Sequence, residues 1–378
     1  METSLRPPRP LLLPAVLAAL ISAGLGLLWL IAPETSPLPR LPAPPPLLGL
    51  LGPAPLYAAM AVAGLAATAV GAALLSADAV SPRVARLLAG VGALEVAVVG
   101  LGLASMATLA AVGYLLAMAM PVIVLVVALA LVSGGRGPRR LLGAALLVLL
   151  AVGIVLGRGL VLELVAVLGP ALLDAAGQLL VTLFAVLVGA LWAVLTVLTL
   201  RSSGALRAVE GWTVRHRRAL TLLAACGPLP YALARLTWLT PWPVMGGGAA
   251  EADPATRLWG MLLSTGAWLG VLLTIGLIRP WGEVFPRWFP VVGGRPVPVL
   301  AAAVPGFAVA ALLIFAAVPM LLSAGQLGST GMLVFALVFP CWFWGPALAL
   351  AVWGYVGHRR AAADEARAAT TASARMGA

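Results

Sequence analysis

Lysine and asparagine are missing from this chain altogether, and every one of its 23 basic residues is Arg. Without Lys no Schiff base can form, and a nucleotide-binding loop ending in Lys-Ser/Thr has no lysine to use. Histidine is nearly absent as well. His216 and His358 both fall in polar segments at the inner ends of apolar runs, which excludes haem held by two histidines within the membrane. The two cysteines, Cys226 and Cys341, are isolated inside apolar stretches, so neither a disulfide nor a metal site is expected. No His-Glu-x-x-His and no Gly-x-Ser-x-Gly occurs. The first external loop has the lone acid Glu34, where lipid-linked sugar transferases carry an acidic pair. No cofactor, no metal and no catalytic cluster are expected, which ranks an enzyme behind other readings.

Charge is scarce too. Charged residues make up 9% of the 378, against about 25% in soluble domains. Hydrophobic residues make up 62%, and they fall in solid runs of about 20 rather than alternating, which selects membrane-spanning helices over a transmembrane barrel. The fold class expected is therefore all-α, a polytopic transmembrane helix bundle. Ten spans are predicted, at about 11–32, 53–75, 87–106, 110–132, 141–157, 178–200, 219–240, 258–278, 297–320 and 332–356. They form a single domain over 1–357. The tail 358–378, small and polar, is expected to be mostly disordered.

Ten spans put both termini on one side, and Arg decides which. Nineteen Arg fall in segments on the side of the termini, three (Arg40, Arg158, Arg257) on the other, and Arg235 lies within a span. That asymmetry places both termini in the cytoplasm and the chain in a bacterial cytoplasmic membrane. The formal charge of +11 is thus topological, and no nucleic acid partner is expected. The first span follows Arg6 and Arg9 as a signal peptide would, but its apolar run is too long and ends at Pro33, so it is expected to be retained. Arg without Lys, beside 42 Gly and 31 Pro, fits a GC-rich bacterial genome.

Three features stand out against this background. Glu95 sits near the middle of the third span, about 14 Å from its inner end. A carboxylate at that depth should face the bundle interior, either as an ion-coupling group or as a neutral Glu hydrogen-bonded to a neighbour. The seventh span carries Gly227-Pro228-Leu229-Pro230-Tyr231, which should break or kink it, and broken helices line substrate sites in transporters. Arg235, roughly 8 Å below the outer end of the same span, is read as snorkelling to headgroups, binding an anion or pairing with Glu95. The string Gly52-Pro53-Ala54-Pro55-Leu56-Tyr57 at the second span echoes the break, with chance the favoured explanation. Finally, the internal loop 279–296 combines Arg279, Arg287 and Arg295 with Trp281 and Trp288, a mixture suited to anionic headgroups or to docking a cytoplasmic protein.

Over EGWTVRHRRALTLLAACGPLPYALARLTWLTPWP and IRPWGEVFPRWFP, within about 205–320, the chain resembles multi-pass integral membrane proteins of actinobacteria that carry no established activity. The resemblance implies a membrane location and nothing about chemistry. Two functional expectations follow. One is a secondary transporter or permease with a small-molecule substrate, using Glu95 for ion coupling and the broken seventh span with Arg235 for substrate. The other is a non-catalytic scaffold or regulator that docks a cytoplasmic partner on 201–218 and 279–296. Membrane lipids are partners in either case.

Overall fold

Pro46, Pro53, Pro82, Pro138 and Pro254 each occupy the first position of a helix, where the missing N–H removes no bond and the fixed φ suits the first turn. A computed structural model describes residues 9–41, 45–76, 81–202, 204–245, 253–289, 292–325 and 328–376. Arg6, placed before the first span, lies outside them. The helices are α1 (Arg9–Ile31), α2 (Pro46–Leu51), α3 (Pro53–Leu75), α4 (Pro82–Glu95), α5 (Met106–Gly134), α6 (Pro138–Asp174) and α7 (Ala176–Ser202). They continue as α8 (Arg207–Arg215), α9 (Arg217–Cys226), α10 (Leu229–Leu236), α11 (Pro254–Gly276), α12 (Val299–Gly325), α13 (Gly328–Val338) and α14 (Cys341–Met376). A π-helical segment, Val96–Leu101, extends α4. Among the described residues there is no β-strand, only an isolated bridge between Val284 and Pro296. Ten helical stretches among them are long and apolar enough to cross a membrane, so the protein is an all-α multi-pass membrane protein.

Several boundaries differ from the sequence reading. The third span starts at Pro82 instead of 87, because Ser81 caps it by accepting the Val84 N–H at 3.3 Å; Arg83 and Arg86 therefore lie on the helix. The fifth span and the external segment after it are one helix, α6, since nothing breaks it before Pro170. The loop 201–218 contains α8. The last span is broken at Phe339-Pro340, because a proline there cannot donate into the preceding turn. The tail is helical to Met376 and, from Arg360 on, exposed as far as its side chains are described. Its Ala-rich sequence has high helix propensity, and Arg367 and Asp364 approach to 3.8 Å one turn apart.

The chain packs as two compact units where one domain was expected. The first comprises 1–111, 173–209 and 311–336; the second comprises 112–172, 210–310 and 337–378. In the first unit α1 and α3 pack through small residues: a side chain at Gly64 would meet the Ala19 carbonyl at 2.6 Å. Trp29 and Tyr57 face each other at 5.5 Å, and the Tyr57 hydroxyl donates to Ser36 at 2.7 Å. In the second unit Trp238 is buried and donates to the Val244 carbonyl at 2.8 Å. The Gly52 echo of the seventh-span break dissolves here. Gly52 has φ +82° and separates α2 from α3, whereas Gly227 has φ −55° and stays helical.

Candidate functional site

Glu95 ends α4 in the first unit and is 0% exposed. Neither of its carboxylate oxygens has a hydrogen-bond partner among the described residues. The π-helical segment begins at the next residue; within it, the Gly102 N–H reaches back five residues to the Ala97 carbonyl at 3.1 Å. One turn earlier on the same face, Gly92 lies against the Thr196 hydroxyl and the Trp192 ring of α7. The Trp192 ring edge also approaches Gly71 of α3, where a side chain would meet it at 3.6 Å. Trp192 Nε1, Thr196 Oγ1 and Thr68 Oγ1 are buried and, like Glu95, without a partner among the described residues. Glu95 thus lies one turn from the contact of α4 with α7, and several buried polar atoms of α3, α4 and α7 have no partner among the described residues. Unpaired buried polar groups are rare in folded proteins and call for a cause.

The other expected residues lie in the second unit. The break at Gly227-Pro228 is a tight kink rather than an unwound segment. The Gly227 N–H donates to Ala224 at 3.1 Å, and the Pro228 carbonyl accepts from Ala232 at 3.0 Å. Pro230 sits in the first turn of α10, where its ring is tolerated. Gly227 gives room to Trp344 of α14, whose indole Cδ1 would lie 2.6 Å from an added Cβ. Tyr231 stacks on Phe339, with ring centroids 4.7 Å apart. The Arg235 guanidinium lies 3.8 Å from the Trp238 ring centroid and 5.1 Å from that of Tyr231. Its Nη1 and the Trp344 Nε1 are buried without partners among the described residues. Glu95 and Arg235 therefore belong to different units, and each finds its surroundings within its own. No family model, curated protein or solved structure matches the chain.

The loop 279–296 is a folded element of the second unit. Phe285 donates to the Arg295 carbonyl at 2.9 Å and Val297 to that of Glu283 at 2.8 Å. Glu283 lies 3.4 Å from both Arg217 and His358. From α14, Arg359 donates to the Val297 carbonyl at 2.9 Å and to the Tyr355 hydroxyl at 2.8 Å, and Tyr355 donates to Gly282 at 2.9 Å. Trp281 packs on Gly276, and Trp288 faces Phe289 at 4.9 Å; both are half-buried, while Arg279, Arg287 and Arg295 are exposed. The rings serve the loop's own packing and leave the arginines outward.

Phe339, Pro340, Trp344, Trp192 and Thr196 were not singled out from the sequence. Two of them carried a signal: Pro340 interrupts an apolar run, and Trp192 sits mid-span, away from the interface where Trp usually marks a boundary. Nothing in the linear pattern pairs Trp344 with Gly227. Chemically, the first cluster can hold a proton or a small cation, and the second can hold an anionic or polar group against an aromatic wall.

Proposed function

We propose that this protein is a secondary transporter of a bacterial cytoplasmic membrane, with Glu95 as its ion-coupling residue. The substrate is assigned to the pair of broken helices around Tyr231, Arg235 and Phe339. One observation carries the reading: Glu95 is wholly buried in a membrane helix with neither oxygen partnered among the described residues. A carboxyl group kept for structure would be hydrogen-bonded, because leaving it unsatisfied costs on the order of 1–3 kcal/mol or more. A group that must gain and lose an ion cannot be permanently paired. The kinks at Gly227 and Pro340 support the substrate assignment, since discontinuous helices are where transporters expose groups to a ligand.

Proteoliposomes enclosing a pH-sensitive dye test this. Wild type should show proton-linked flux, and Glu95→Gln, incorporated to the same level, should show none. Equal flux from both would remove Glu95 from the mechanism.

The scaffold reading keeps one observation of its own. In the loop 279–296 the one acid, Glu283, is paired internally, while Arg279, Arg287 and Arg295 face outward, leaving a basic surface for an acidic cytoplasmic partner. Replacing the three with Gln should then abolish partner binding and leave flux unchanged.

A further inference from the structure

The two helices that frame Glu95 carry the same order of features, read in opposite directions. Along α4 and its extension, Glu95 is followed by Gly100 and then by Ala104 and Ser105. Along α7, read backwards, Trp192 is followed by Gly189 and then by Thr182 and Gln178. Ser105 accepts a hydrogen bond from Gln178 Nε2 at 2.8 Å, and Thr182 donates to the Gln178 carbonyl. Beside them lies a recess of about 10 Å³ lined by Ala104, Ser105, Thr182, Leu312 and Phe315, about the space of one water. Phe315 packs on Gly100 and Gly189, which fall along the two helices between the recess residues on one side and Glu95 and Trp192 on the other. Its ring fills the gap that two glycines leave: a side chain at Gly189 would meet it at 2.7 Å, and one at Gly100 at 2.8 Å. Phe315 is 3% exposed.

We infer that Glu95 exchanges a proton with the Ser105–Gln178–Thr182 recess, and that the Phe315 ring on Gly100 and Gly189 is the gate between them. This rests on Glu95 being the coupling residue. When the ring swings aside, a hydronium at the recess gives its proton to the carboxylate, leaving water and a neutral carboxyl. The two glycines make the swing feasible, since neither carries a Cβ against the ring. A proton fits better than a metal cation. Glu95, Thr68 and Thr196 offer four unpaired side-chain oxygens among the described residues, fewer than the roughly six to eight a hard divalent cation takes. Charged and titratable groups on the packed elements are remote along their helices. Arg86 and Arg201 lie nine residues from Glu95 and Trp192, roughly 13 Å. Tyr57 lies at the far end of α3 from Thr68, Arg9 and Arg83 begin their helices, and 311–336 carries none.

The test is infrared spectroscopy of the full chain in phosphatidylethanolamine–phosphatidylglycerol vesicles moved from H2O to D2O between pH 5 and 9. The Glu95 carboxyl band is the one absent from Glu95→Gln, or displaced in Glu95→Asp should the first variant fold poorly. Phe315→Ala should exchange that band at least tenfold faster than wild type, and Phe315→Trp no faster than wild type. Equal rates in Phe315→Ala and wild type would overturn the gate. A band that moves on replacing KCl with NaCl at fixed pH would overturn the proton. Gated exchange without any flux would sink the transporter reading and leave the gate standing; flux with ungated exchange would do the reverse.

Discussion

The Tyr231 ring lies 4.7 Å from the Phe339 ring, and each residue stands at a helix break, Tyr231 just after Gly227-Pro228 and Phe339 just before Pro340. A second contact, Gly227 on Trp344, repeats the link one turn further in. Two kinked helices are therefore keyed together at their kinks, within one unit. The seventh span is interrupted without being unwound, so its reactive potential lies in the side chains gathered at the kink rather than in freed backbone carbonyls.

Gly227→Ala should destabilise the second unit. The new methyl would sit 2.6 Å from Trp344 Cβ and Cδ1, and overpacking of this kind costs about 1–3 kcal/mol. Gly153→Ala is the control: nothing lies within 4 Å of Gly153, and removing a helix glycine gains roughly 0.5–1 kcal/mol. Thermal unfolding in detergent, followed by Trp emission, should place the two variants on opposite sides of wild type.

Replacing Glu95 by Met should raise stability while removing function. The substitution exchanges a buried carboxyl with two unpartnered oxygens for an apolar chain of similar length. Relief of an unsatisfied buried group is worth about 1–3 kcal/mol. A higher unfolding temperature together with lost proton-linked flux is the expected pair of results. A lower unfolding temperature would mean that the carboxyl group has a structural partner after all.

The sequence made the membrane class and most span boundaries legible, because both depend on local composition. The second span, Pro53–Leu75, is where the apolar run and its proline place it. Glu95 was legible for the same reason, as one acid in a long apolar run. What stayed hidden depends on which helices meet. Trp344 and Gly227 are over a hundred residues apart, and Phe315 reaches Gly100 and Gly189 only after the bundle assembles. The helical tail was misread because polarity was weighed above the helix propensity of its alanines.

Glu283→Gln should loosen the loop 279–296 without unfolding the protein. Glu283 and His358 are each more than a third exposed, so solvent screens the pairing, and such contacts contribute about 0.2–1 kcal/mol. The backbone bonds from Phe285 and Val297 remain in place. Limited trypsin proteolysis should therefore cut the loop faster after Arg287, with no more than a small shift in the unfolding midpoint. Loss of the whole second unit on this change would mean that Glu283 organises more than the loop.

Arg235 separates two physical accounts of a charged residue inside a span. If it merely snorkels, Lys serves as well, since a flexible ammonium reaches headgroups with equal ease. The guanidinium, however, is fixed between Trp238 at 3.8 Å and Tyr231 at 5.1 Å. A planar cation stacks on such rings, and a Lys ammonium does not reproduce that geometry. Arg235→Lys should then behave more like Arg235→Met than like wild type, with a loss of about 0.5–2 kcal/mol from the missing ring contacts. The Trp238 emission reports the same event independently, because removing the cation from its face changes the local field. Lys indistinguishable from Arg in both unfolding and emission would return Arg235 to the role of an interfacial anchor.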